Sequence, residues 1–177
     1  MVVGEVRSPA LSNMNLIIEA EDPRSPDVEA LLEVHLAFAH QVTPAGHVHA
    51  LGIEGLTGPG VVFFGARREG VLLGIGALRE LDPRHGEIKS MHIIRSARGE
   101  GIGRAMVDHL LMLSGRRGYR RVSLETGTME AFAPARRLYE RMGFRVCPPF
   151  GGYTANPHSV CMMVEIQGRS AAAADGP

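Results

Sequence analysis

Apolar positions along the chain switch repeatedly between compact runs and a spacing of three to four, the mark of strands alternating with helices. Leu16-Ile17-Ile18-Glu19-Ala20 reads as a strand, and Asp22-Pro23-Arg24-Ser25-Pro26 breaks it. From Asp27 to His40, the residues Val28, Leu31, Leu32, Leu36 and Phe38 approximate a helical stripe, with Asp27 placed to cap its start. Thr43 to Pro59 is glycine-rich and reads as a loop with one short helix. Val61–Arg67 and Val71–Leu81 are two strands around Arg68-Glu69-Gly70, where glycine suits an antiparallel hairpin turn. Glu87–Ile94 is a further strand. It leads through a glycine-rich turn into a helix whose stripe is Ile102, Ala105, Met106, His109, Leu110 and Leu113. After a strand at Arg120–Glu125, Phe132, Ala135, Leu138, Tyr139 and Met142 mark another helix, with Pro134 near its start and Gly143 at its end. Phe144–Cys147 and Val160–Ile166 close the pattern as strands. This order predicts an α/β fold built on a mixed sheet.

Residues 15–166 form the expected domain, with 1–14 and 167–177 read as tails, since both ends lack a stable period. A chain of 177 residues with 45% hydrophobic content can bury an adequate core as one domain without metal or disulfide support. Nineteen basic and nineteen acidic residues leave no net charge, which argues against nucleic acid as a main partner. The longest apolar runs fall far short of the ~20 residues that span a bilayer, and no basic flank with an apolar stretch opens the chain. A soluble, cytoplasmic protein without membrane partners is therefore expected. The two cysteines, Cys147 and Cys161, make no finger or CxxC spacing. Histidines such as His35, His40, His47 and His49 give no complete ligand set, so no metal is expected. Lys89 is the only lysine, so eighteen of the nineteen basic residues are arginine, a side chain suited to phosphate.

The segment Arg98-Gly99-Glu100-Gly101-Ile102-Gly103-Arg104 lies between a strand and a helix, where unpaired backbone N–H groups can hold an anion. A dinucleotide fingerprint would need glycine at position 104, and no Walker loop occurs. A ligand-free glycine turn remains open at this level. Together with Ala135-Arg136-Arg137-Leu138-Tyr139-Glu140-Arg141-Met142-Gly143-Phe144, however, the loop resembles the GNAT superfamily of N-acetyltransferases. Arg98, Gly101 and Gly103 match its Arg/Gln-x-x-Gly-x-Gly/Ala pattern, and the later stretch matches its A-x-x-L-Y-x-x-x-G-F helix and strand. The resemblance covers about residues 15–166 and is strongest from Glu87 to Phe144.

That resemblance implies a mostly antiparallel sheet of about seven strands with flanking helices, whose fourth and fifth strands splay apart. Acetyl-CoA is then the implied donor, with the backbone of Met91, His92 and Ile93 pairing the pantetheine arm and residues Arg98, Gly99, Glu100, Gly101, Ile102, Gly103 and Arg104 around the pyrophosphate. The acceptor is expected to be a primary amine on a small molecule or peptide, attacked directly in a ternary complex. A non-catalytic acyl-CoA-binding domain of the same fold is the alternative, and a homodimer is left open. Acyl transfer to an amine needs a base, carbonyl-polarising donors and an acid for the thiolate. Glu87, on the strand before the loop, resembles the catalytic glutamate of some members, with Glu125 as substitute and a surface glutamate as the bland reading. Tyr139 matches the tyrosine that protonates the thiolate, against a plain core role. The acceptor pocket should draw on Asp27–Leu56 and Phe150–His158, where the resemblance guides least.

Overall fold

The structure, a computed structural model, describes residues 15–166. The two tails expected from sequence lie outside the described residues. The chain folds as β1 (Leu16–Ala20), α1 (Pro26–Val42), α2 (Ile53–Leu56), β2 (Val61–Arg68), β3 (Val71–Asp82), β4 (His85–Ile93), α3 (Ile102–Arg116), β5 (Arg121–Gly127), α4 (Ala133–Arg141), β6 (Arg145–Cys147) and β7 (Ser159–Glu165). One seven-stranded sheet carries them in the order β1-β2-β3-β4-β5-β7-β6. Every neighbouring pair is antiparallel except β4 with β5. Among the described residues no helix is long and apolar enough to cross a membrane.

The sheet is covered on both faces, and β2 and β3 accordingly carry long apolar runs, Val61–Ala66 and Val71–Leu78. Phe64 and Leu78 point into a core that α3 fills with Met106 and Leu110, whereas Phe63 and Ala77 point into a second core under Val28, Leu31 and Leu32 of α1. Glu69 and Gly70 both take positive φ, at 50° and 80°, the double left-handed turn that matches strand twist in a two-residue hairpin. Asp27 does not cap α1. Ser25 occupies that position, and Asp27, in the first turn, accepts from Arg67 Nη1 at 2.7 Å.

Two local features open the sheet. The β4–β5 pairing stops at Ile88↔Leu124, although β4 runs on to Ile93 and β5 to Gly127. In β4, Ser90 and Met91 together face a single β3 residue, Gly76, because the register passes from Ala77↔Lys89 to Ile75↔His92. This is a β-bulge, and Ser90 adopts φ 53° within it. A side chain at position 76 would collide with Met91 Sδ at 2.8 Å, so glycine is what lets the bulge pack. The bulge turns the end of β4 away from β5 and leaves a wedge between them.

Candidate active site

Two cavities fill the wedge. The larger, of about 590 Å³, runs from the end of β4 across the start of α3 to the face of α4. Met91, His92 and Ile93 form one wall, the turn before α3 forms the head, and Leu138, Tyr139 and Met142 form the other wall. At the head, Gly99 and Gly101 take left-handed φ values of 83° and 85°. Gly101 ends the turn at the helix cap position without any side-chain cap, leaving the first amides of α3 open to an anion. A Cβ at Gly99 would meet nothing within 4 Å. A Cβ at Gly103 would press Leu138 Cδ2 at 3.1 Å, so this glycine lets α3 approach α4.

The expected donor-site residues are thus brought together, with one exception. Glu100 does not line the cavity: its carboxylate pairs with Arg68 Nη1 at 2.8 Å, which neutralises an anion that phosphate would otherwise face. Arg98 lines the cavity while its Nε donates to the Ile93 carbonyl at 3.1 Å, tying the turn to β4. Arg104 is three-quarters exposed and only loosely paired with Asp108 at 3.7 Å. A long pantetheine-like chain with a pyrophosphate fits these residues: an unpaired strand edge, open amides and the charge of Arg98 and Arg104 in one groove.

The smaller cavity, of about 110 Å³, lies on the β5 side. His35 of α1, Thr43 just past its end, the His47–Ala50 loop, Lys89, Glu125 and His158 wall it, so both stretches expected to build an acceptor pocket contribute. Tyr139, Met91 and His35 border both cavities. Tyr139 is otherwise buried, packed edge to face on Phe144 with ring centroids 5.7 Å apart. Burial raises its pKa, so its phenol holds its proton. Burial likewise raises the pKa of Glu125, which faces the smaller cavity.

Glu87 lies elsewhere. It is fully buried and lines neither cavity. Arg79 Nη2 stands 2.8 Å from its Oε2, and the Tyr153 hydroxyl donates to its Oε1 at 2.6 Å. Lys89 Nζ donates to the same Tyr153 oxygen at 2.6 Å and to the His49 carbonyl at 3.0 Å, and lies 3.5 Å from Glu87 Oε1. Burial lowers the pKa of Lys89, opposed by the carboxylates of Glu87 and Glu125. This buried chain links β3, β4 and the two loops around the smaller cavity.

Sequence reasoning missed Lys89, Tyr153 and an aromatic seam. Phe38 packs on Phe132 at 5.2 Å and on His92 at 6.4 Å, and His35 meets His92 at 5.4 Å. Lys89 carried a signal, since a sole lysine inside an apolar strand must find partners. Tyr153 sits in a Pro/Gly-rich loop with no period to read. Among the described residues no group of three or more His, Cys, Asp or Glu side chains could hold a metal.

Comparison with known proteins agrees with this geometry. A model of the GNAT acetyltransferase family matches residues 28–144. A Bacillus subtilis protein named as an uncharacterized N-acetyltransferase, YsnE, is 43% identical over 149 residues, spanning 84% of this chain and 99% of that protein. The Escherichia coli protein YedL, named in the same way, is 37% identical over 142 residues, covering 80% of this chain and 89% of its own. A solved GNAT acetyltransferase from Elizabethkingia anophelis, with acetyl-CoA bound, superposes with a TM-score of 0.63 at 16% identity, covering 85% of this chain and 98% of that one.

Proposed function

Because the chain belongs to the GNAT family of acetyltransferases, we propose that it moves an acetyl group from acetyl-CoA to a primary amine of a small molecule or peptide, with both substrates held at once. The observation that carries this reading is the meeting of the two cavities at Tyr139 and Met91, so that donor and acceptor can approach from opposite sides of one residue pair. Such placement turns a bimolecular encounter into an intramolecular one.

Acetyl-CoA supplies the activated thioester carbonyl. The turn from Arg98 to Arg104 and the first amides of α3 hold its pyrophosphate, Met91 to Ile93 align its arm, and a backbone N–H near Ile93 polarises the carbonyl. Glu125 accepts the amine proton. It is the carboxylate that faces the acceptor cavity, and its raised pKa brings it nearer the operating pH. Tyr139 donates to the departing sulfur: a phenol that burial keeps protonated remains available until the thiolate forms. Glu87, ion-paired with Arg79 and bonded by the Tyr153 hydroxyl, acts as an anchor behind the pocket and not as the group that touches the amine.

Release of coenzyme A against a panel of primary amines tests the reading, with acetyl-CoA affinity measured by calorimetry alongside. Amine-dependent release is expected. Tight acetyl-CoA binding with no release from any amine would make the chain an acyl-CoA-binding domain instead.

A further inference from the structure

Among the described residues that line the smaller cavity, Glu125 is the one carboxylate and Lys89 the one lysine or arginine. Glu125 faces the cavity, whereas the ammonium of Lys89, which also borders it, is engaged by its neighbours. An ammonium has three N–H groups. Those of Lys89 meet the Tyr153 hydroxyl at 2.6 Å, the His49 carbonyl at 3.0 Å and Glu87 Oε1 at 3.5 Å. Arg79 is held by Glu87 and lines neither cavity. His35 is held neutral by burial, its pKa lowered to about 4. Tyr153 is the keystone of this arrangement: its ring packs on His49 at 5.2 Å and on Phe150 at 5.1 Å, which fixes the hydroxyl between Lys89 and Glu87.

We propose that Tyr153 is a specificity-determining residue that turns the Lys89 charge away from the acceptor cavity, so that the enzyme selects primary amines without a neighbouring carboxylate and rejects α-amino acids. This inference rests on the acetyl-transfer reading for the identity of the pocket. An amine seated on Glu125 places any α-carboxylate within a few ångströms of the glutamate, where like charges repel. With the Lys89 ammonium engaged by Tyr153, His49 and Glu87, no other lysine or arginine among the described residues lines the cavity to answer that carboxylate. Specificity of this kind comes from the penalty on the wrong ligand as much as from attraction to the right one.

Propylamine and 2-aminobutanoate differ only by the α-carboxylate, and phenethylamine and phenylalanine form a longer pair. Their binding is measured by calorimetry on the protein saturated with coenzyme A, at one fixed pH for every ligand and variant. The parent protein should bind each amine at least ~10-fold more tightly than its carboxylated partner. Tyr153→Phe frees one Lys89 N–H toward the cavity and should narrow the ratio to within ~3-fold. Should Tyr153→Phe not fold, Glu125→Gln tests the other half of the argument, since loss of the anion should also narrow the ratio. Equal or reversed binding in the parent, a full ratio in a folded Tyr153→Phe or in Glu125→Gln, or no binding of either ligand class would overturn the proposal. Failure of the acetyl-transfer reading would look different: selective amine binding without coenzyme A release from any of them.

Discussion

Tyr139 stands where the two cavities meet, so its substitution separates chemistry from packing. Tyr139→Phe keeps the ring against Phe144 and removes the proton donor; turnover should fall by ~10²–10⁴ while acetyl-CoA affinity stays near the parent value, measured by single-turnover kinetics and calorimetry. The two glutamates divide in the same manner. Glu125→Gln should lower turnover most at neutral pH and recover partly as pH rises, because free amine then needs no base. Glu87→Gln should instead cost ~3 kcal/mol in urea unfolding, since it leaves Arg79 and Lys89 around a group that no longer carries their counter-charge. Sequence alone pointed to both glutamates and to Tyr139 through motif spacing. It placed Glu87 first and Glu125 as the substitute, an order that could not take account of burial or of the reach of Tyr153, 66 residues beyond Glu87, because both are properties of the folded chain.

At the level of elements, the glycines decide what approaches what. Gly127 ends β5, and a Cβ there would run into the ring of Phe132, so Gly127→Ala should displace the entry to α4 and cost ~1–3 kcal/mol in thermal or urea unfolding. Gly101 takes φ 85°, so a β-branched residue there strains the turn as well as blocking phosphate. The cleaner probe of the turn is Arg104→Glu, on an exposed side chain: acetyl-CoA affinity should drop ~10-fold with the unfolding midpoint unchanged. Strand and helix order was legible in the chain because the period changes at each boundary. The bulge at Ser90 was not, since Glu87-Ile88-Lys89-Ser90-Met91 reads as an ordinary strand and only its partner Gly76 shows where the register slips. Asp27 was read as a cap on residue type alone; the charge of Arg67, 40 residues away, claims it instead.

Across the whole molecule, α1 and β4 meet through His35 and His92, both held neutral by burial with pKa values lowered to about 4. An unfolded chain protonates its histidines from pH 6.5 downward, before the folded one does. Stability should therefore fall as pH drops from about 6.5 toward 4 and show no contribution from these two groups above that window. Thermal unfolding of His35→Phe across the same range should give a shallower slope; a slope equal to the parent's would remove His35 from the account. The seven-stranded mixed sheet was an expectation that the resemblance supplied and the structure bears out, down to the parting of β4 from β5. One aspect of that sheet bears on how the chain is made. β7, the last of its strands in sequence, lies between β5 and β6 and pairs with both. During synthesis at ~5–20 residues per second, β5 leaves the ribosome with one side bare for several seconds before Ser159–Glu165 arrives to cover it. The nascent protein thus passes through an interval with an open strand edge, and a truncation or stall between β5 and β7 leaves it in that sticky state.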